Sequence, residues 1–246
     1  MRRFSKVFGL ITAIAFCLSL VLGVGANNVI LPPLKPHPLP PTLASWKTTA
    51  SVGDYFSEVE TIQPVGYLVW SKFPVTVYLD QLLETKKTSA ELQRFEQWVK
   101  AVKLAIEEWN IYLPLQMVDS GEEADILIKR EYPPLKPKLN PETGLFDLPR
   151  AAAAQTRYQF YLKNTTPPIL SHRMTIVIRP GQSYTAILAT ARHELGHAVG
   201  IWGHSKEVTD ALYFSQVAES PPVSPRDINT LKKVYQQPTR LGWAVN

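Results

Sequence analysis

His193, Glu194 and His197 are the residues of this chain whose types and spacing do chemistry. They stand in the run Ala191-Arg192-His193-Glu194-Leu195-Gly196-His197-Ala198-Val199-Gly200-Ile201-Trp202-Gly203-His204-Ser205. On a helix, residues four apart leave the same face about one turn from each other. Two imidazoles so placed reach one zinc ion at roughly 2.0–2.1 Å. Glu194 follows the first histidine and is turned one helical step away from the pair, so its carboxylate reaches a water beside the metal without displacing a ligand. Zinc acidifies such a water and polarises a carbonyl, and a neighbouring carboxylate takes the proton and delivers it to a leaving amine. Amide hydrolysis needs all three services. An H-E-x-x-H match by itself occurs by chance in helices. Here, however, three of the five histidines of the chain fall between positions 193 and 204. Gly200, three residues past His197, also permits a left-handed helix end that turns the chain back toward the metal.

The elements that must position these residues are legible in the hydrophobic pattern. Pro180-Gly181 closes a strand predicted at 174–178, and a helix is predicted from Ser183 to Gly200. Further strands are predicted at 73–79, 124–129 and 158–162, where β-branched and aromatic residues concentrate. A long helix is predicted from Thr88, whose spacing to Glu91 is that of a capping box. Leu92, Phe95, Val99, Val102, Ile106 and Trp109 recur along it at helical spacing and predict its buried stripe. Ser224-Pro225-Arg226-Asp227 opens a last helix with Ile228, Leu231 and Val234 on its buried side. The proline-bearing stretch 131–150 is long for a loop in a compact domain, which marks it as functional or mobile. Together these elements predict an α+β domain with a twisted sheet, a long backing helix and an active-site helix.

The chain of 246 residues suffices for one ordinary domain plus a leader. Arg2, Arg3 and Lys6 precede an uncharged apolar run that ends at Val24-Gly25-Ala26. This is the pattern of a signal peptide cleaved after Ala26, with an uncleaved membrane anchor as its rival. Cleavage predicts a secreted, periplasmic or cell-envelope protein with no stable membrane insertion. The only cysteine, Cys17, leaves with the leader, so any metal site in the mature chain must use histidines and carboxylates. Three cations leave as well, and the formal charge of +5 falls to +2. With no clustered basic stripe, that argues against a nucleic-acid partner. Residues 27–63 carry the proline run Leu31-Pro32-Pro33-Leu34-Lys35-Pro36-His37-Pro38-Leu39-Pro40-Pro41 and read as a polyproline extension, either a spacer or a strip laid over the domain. His37 within it is expected to be solvated. The chain thus divides into a signal peptide at 1–26, an extension at 27–63 and a metallopeptidase domain at 64–246.

The stretch 191–205 resembles the metzincin zinc peptidases, and among them the bacterial type of the matrixin-like branch, whose signature is H-E-x-x-H-x-x-G-x-x-H-S. His193, Glu194, His197 and Gly200 match it position by position. Outside the signature the likeness, over most of 64–237, is one of pattern: a first strand at 70–79, a long helix, the strand at 124–128 and a closing helix ending in Val234-Tyr235. The resemblance implies a zinc metalloendopeptidase with Glu194 as general base and a peptide or protein substrate. It also implies a substrate cleft along the edge strand of a mixed sheet.

The sequence departs from that pattern in three places. Three residues, not two, separate Gly200 from His204-Ser205, one extra residue adding about 3.5 Å of reach. His204 is the expected third ligand, Gly203 absorbing the insertion, with Asp210 as the alternative and His172 read as a polar residue before a strand. Leu212, in Asp210-Ala211-Leu212-Tyr213-Phe214, stands where metzincins carry a methionine beneath the metal. Tyr213 and Phe214 are expected either to wall a substrate pocket or to join the core. The pro-segment cysteine that holds matrixins latent is also absent from the mature chain, and no acidic run has the spacing of a calcium loop. Two rival functions stand beside the peptidase. One is a non-catalytic zinc- or peptide-binding envelope protein on the same scaffold; the other is a membrane-anchored protein with an accidental H-E-x-x-H.

Overall fold

The computed structural model describes residues 30–48, 51–81, 88–135, 138–139, 146–147, 152–215 and 221–245. The expected leader and most of the 131–150 stretch lie outside the described residues. The elements run in the order α1 (Pro41–Ser45), β1 (Val75–Leu79), α2 (Ser89–Asn110), β2 (Leu115–Val118), β3 (Ile126–Lys129), β4 (Lys138–Leu139), β5 (Phe146–Asp147), β6 (Ala154–Lys163), β7 (Ile169–Ile178), α3 (Tyr184–Ala198) and α4 (Pro225–Tyr235). No described helix is long and apolar enough to cross a membrane.

Five strands form one sheet in the order β2-β1-β3-β7-β6, while β4 and β5 make a separate two-stranded ladder. The first four are parallel, and β6 closes the edge antiparallel to β7. The fold is therefore α+β with a mixed, mostly parallel sheet. Along β1 the buried residues are Val75, Val77 and Leu79, and along β7 Leu170, His172, Met174 and Ile176 alternate with half-buried neighbours. That period of two puts one face of the sheet under the helices and leaves the other half exposed. Both β6 and β7 are ten residues long, twice the predicted lengths. Polar residues such as Gln155, Thr156, Ser171 and Arg173 dilute the β signal there, although they keep the alternation. β2 went unpredicted because Leu115 is its only buried residue.

α2 starts where predicted, with the reciprocal Thr88–Glu91 capping box in place. Its buried face differs from the predicted stripe. Trp98, Ala101, Val102, Ala105, Ile106 and Trp109 are buried, whereas Leu92 is 40% exposed and Phe95 and Val99 are only partly covered. Periodicity alone admits both stripes, and packing selects the one containing two alanines and two tryptophans. Trp109 reaches α3 and donates its indole N–H to the Arg192 carbonyl (2.9 Å), while Glu108 receives a two-pronged ion pair from the Arg192 guanidinium (2.6 Å for each contact). α4 buries Ile228, Leu231 and Val234 as predicted, behind a Ser224–Asp227 capping box.

Residues 30–48 and 51–63 are a strip laid over the domain, the second of the two alternatives for this segment. Leu43, Tyr55 and Val59 enter the same hydrophobic core as the sheet and helices. Lys35 pairs with Thr239, and Arg240 donates to the Pro32 carbonyl. His37 is not a solvated residue: it stacks on Trp243 (centroids 4.2 Å apart), and its Nε2 donates to the Leu241 carbonyl at 2.7 Å. Six prolines between 32 and 41 keep this strip extended, so its remaining backbone groups are free to pair across to the C-terminal residues.

Candidate metal centre

α3 begins at Ser183, whose hydroxyl accepts from the Ala186 N–H, and it ends at Gly200, which takes a φ of +130°. A side chain at Gly200 would come within 2.7 Å of the Leu68 carbonyl oxygen, so both conformation and space require glycine. Past this turn the Ile201 carbonyl swings back to accept from His197 Nδ1 at 2.8 Å. His193 Nδ1 donates in the same way to the Ala211 carbonyl at 3.0 Å. Two backbone carbonyls thus set both tautomers, because a carbonyl oxygen only accepts.

The consequence is a pair of bare lone pairs. The Nε2 atoms of His193 and His197 lie 3.1 Å apart. With both ring protons committed to carbonyls, no N–H remains to join them, so this is not a hydrogen bond. Two nitrogens on a tetrahedral zinc at roughly 2.0–2.1 Å stand about 3.3 Å from each other, close to the spacing seen here. His204 completes the group: one ligand atom from each of the three histidines lies within 4.8 Å of the others. Ring centroids are 4.8, 5.2 and 4.9 Å apart, a nearly equilateral arrangement. His204 Nε2 is buried with no hydrogen-bond partner. Three converging imidazole nitrogens fit a divalent metal ion, and such donors suit zinc, copper, iron and nickel.

Burial also sets the charge state of the ligands. It presses the His193 imidazole down to about 3, helped by His204 beside it, and holds His197 well below the usual histidine range. His204 is lowered by burial as well. All three are therefore neutral at pH 7, the form that ligates a metal. Glu194, also on α3 and buried, is pushed up to about 7 by loss of hydration, opposed by hydrogen bonds from Thr156. The Thr156 hydroxyl donates to Glu194 Oε2 at 2.6 Å from the edge strand β6. Sequence reading did not single out Thr156. Nothing local marks it, since only the register of β6 against β7 brings it over α3.

Leu212 is fully buried against α3, where an added side chain on Gly196 would collide with it. The turn that carries it is pinned on both sides: Ser205 N–H donates to the Leu212 carbonyl (2.8 Å), and Phe214 N–H to the Ser205 carbonyl (3.1 Å). Tyr213 and Phe214 pack on each other, with Phe214 43% exposed.

Asp210 is not among the converging ligands. Its buried carboxylate accepts from the Ser205 hydroxyl (2.5 Å), the Ser224 hydroxyl (2.7 Å) and the Arg226 guanidinium (3.0 Å). These contacts occupy it as the anchor of the loop after His204. A second buried carboxylate, Asp227, accepts from Tyr55 Oη (2.5 Å) and from the backbone N–H groups of Ser224 (2.7 Å) and Ala211 (3.0 Å). Its signal in the sequence was the Ser224–Asp227 capping-box spacing, which says nothing of Ala211 or Tyr55. His172 lies within β7, not before a strand, and stacks on Trp70 at 3.8 Å, away from the three ligands.

No protein-family model matches this chain, and no curated protein matches it.

Proposed function

We propose that this protein is an exported zinc metalloendopeptidase of metzincin type, matrixin-like branch, with His193, His197 and His204 as ligands and Glu194 as general base. The observation that carries the proposal is the convergence of two buried histidines and the half-buried His204, with Glu194 next to the first of them. Zinc held there would supply a Lewis acid for a peptide carbonyl and acidify an attacking water. Glu194 then takes the proton of that water and passes it to the departing amine nitrogen. A group pushed up to about 7 in the absence of metal accepts a proton readily and returns it at neutral pH. Thr156 holds the carboxylate toward β6, so Glu194 faces the edge strand. An extended peptide pairing with the open edge of β6 would pass beside Glu194, which supports a peptide substrate.

The test is zinc content by elemental analysis together with cleavage of a peptide library. Wild type is expected to hold one zinc and to cleave; Glu194→Ala is expected to keep the zinc and lose about 10²–10⁴-fold in rate. Failure of wild type to bind zinc after reconstitution would overturn the proposal. A zinc-loaded wild type that cleaves nothing would leave the non-catalytic zinc- or peptide-binding protein in its place.

A further inference from the structure

We propose that residues 55–60, ahead of the sheet and outside the histidine motif, position the metal ligands and above all place His204 despite the extra residue before it. This rests on the metal-site reading above.

His193 and His197 are each oriented by a carbonyl on the second ring nitrogen, but among the described residues no hydrogen bond orients the His204 ring. Its position therefore depends on the path of its backbone. That path is set from the N-terminal strip. Glu60 N–H donates to the Trp202 carbonyl at 2.9 Å, and Val59 forms an antiparallel bridge with Gly203. The contact is close enough that a side chain at Gly203 would collide with the Glu58 carbonyl oxygen and lie 2.9 Å from Val59 Cα. Residues 201–203, the three between Gly200 and His204, are thus held as the partner of a short ladder and not as a free loop. Downstream, Lys206 pairs with Glu58 at 2.8 Å, an exposed contact of little energetic weight.

The same strip reaches His193 by a second route. Tyr55 donates its hydroxyl to Asp227, Asp227 accepts from the Ala211 N–H, and the Ala211 carbonyl accepts from His193 Nδ1. The strip is itself braced on α4 independently of the site. Tyr55 N–H donates to Thr230 (3.0 Å), Asn229 donates to the Gly53 carbonyl (2.7 Å), and Trp46 Nε1 donates to Asn229 (2.9 Å). Removal of the residues before position 64 would therefore take away part of the metal centre.

Glu60→Pro tests this by deleting one N–H donor without touching a ligand. Val59 precedes it with φ −89° and ψ 124°, a conformation that tolerates a following proline. Zinc affinity is read by competition with a chromophoric chelator, and coordination by the visible absorption of the cobalt(II)-loaded protein. Glu60→Pro is expected to weaken zinc about 10–100-fold, as loss of a positioning contact does, and to lower the intense four-coordinate cobalt band. Trp46→Phe, which cuts a brace remote from the ligands, is expected to lower the melting temperature and leave zinc affinity unchanged. Should Glu60→Pro not fold, Tyr55→Phe carries the test, with an expected loss of about fivefold for one hydrogen bond. A folded Glu60→Pro, or in its place Tyr55→Phe, with wild-type zinc affinity and cobalt spectrum overturns this inference while leaving the peptidase proposal intact. Wild type that binds no zinc overturns both.

Discussion

The two halves of the candidate metal centre are built by different means. In the helical half, His193 and His197 project from one face of α3, and their separation follows from helix geometry. In the loop half, His204 lies past a glycine turn and an extra residue, and its place depends on a strand bridge from Val59. The helical ligands carry their own orienting hydrogen bonds, while His204 has none among the described residues. A ligand pair on a helix is thus a property of a few consecutive residues, whereas a ligand on a loop is a property of whatever the loop packs against.

The largest expected effect separates the halves directly. His193→Ala and His197→Ala should abolish zinc binding, since each leaves one helical ligand facing empty space. His204→Ala should lose more than the roughly 10–100-fold that removal of an orienting partner costs, yet retain residual binding by the helical pair. Elemental analysis after dialysis against graded chelator ranks the three variants. Equal retention in His204→Ala and wild type would remove the loop half from the site.

Next comes the response of the metal-free protein to acid. His193 and His172 are held at about 3 and His197 well below its ordinary value, so the unfolded chain binds their protons first as pH falls below 6.5. Stability must therefore fall with pH in that window, by about 1.4 kcal/mol per pH unit for each histidine. Glu194, raised to about 7, acts oppositely: the folded chain takes its proton first, which gains stability between pH 7 and 4.5. Asp227, also raised, adds to that gain at lower pH. His172, His193 and His197 against Glu194 leave a net loss of about two protons' worth, roughly 3 kcal/mol per unit, between pH 6.5 and 5, and the lowered His204 adds to it. Urea denaturation at those two pH values measures it, and His172→Phe should flatten the slope by one proton while keeping the stack on Trp70. A flat profile would contradict the burial of these imidazoles.

Smaller effects probe the packing of Leu212 against α3. Gly196→Ala places a methyl against Leu212 and within 3.0 Å of Trp109, and should cost about 1–3 kcal/mol by urea titration. Leu212→Met, a volume-conserving exchange, should cost less than about 1.5 kcal/mol and leave zinc content unchanged. A loss of zinc in Leu212→Met would show that the leucine does more than fill space.

The parts of this protein that were legible in its sequence are those with short-range causes. The capping boxes at Thr88 and Ser224, the glycine that ends α3 and the spacing of His193, Glu194 and His197 each depend on residues within about one helical turn. The alternation in β1, β3 and the second half of β7 was readable because the buried residues there are apolar. The stripe of α2 was partly misread because two helical faces of that segment carry apolar residues, and only α3 and the sheet choose between them. Asp210 and His204 were both chemically acceptable as third ligand; the motif spacing favoured His204 and left Asp210 as the alternative. The choice came from Ser205, Ser224 and Arg226 converging on Asp210.

By itself, then, the sequence determined the helical ligand pair, the general-base candidate between them and the elements that carry them, because helix geometry and capping act over a few residues. Tertiary structure alone decided that Thr156 meets Glu194, and that Tyr55 and Val59 brace the ligands from a proline-rich strip. Those contacts join residues 38 to 172 positions apart, and no local pattern encodes them. They exist because burial of one shared core brings the strip, the edge strand and the ligand loop to the same place.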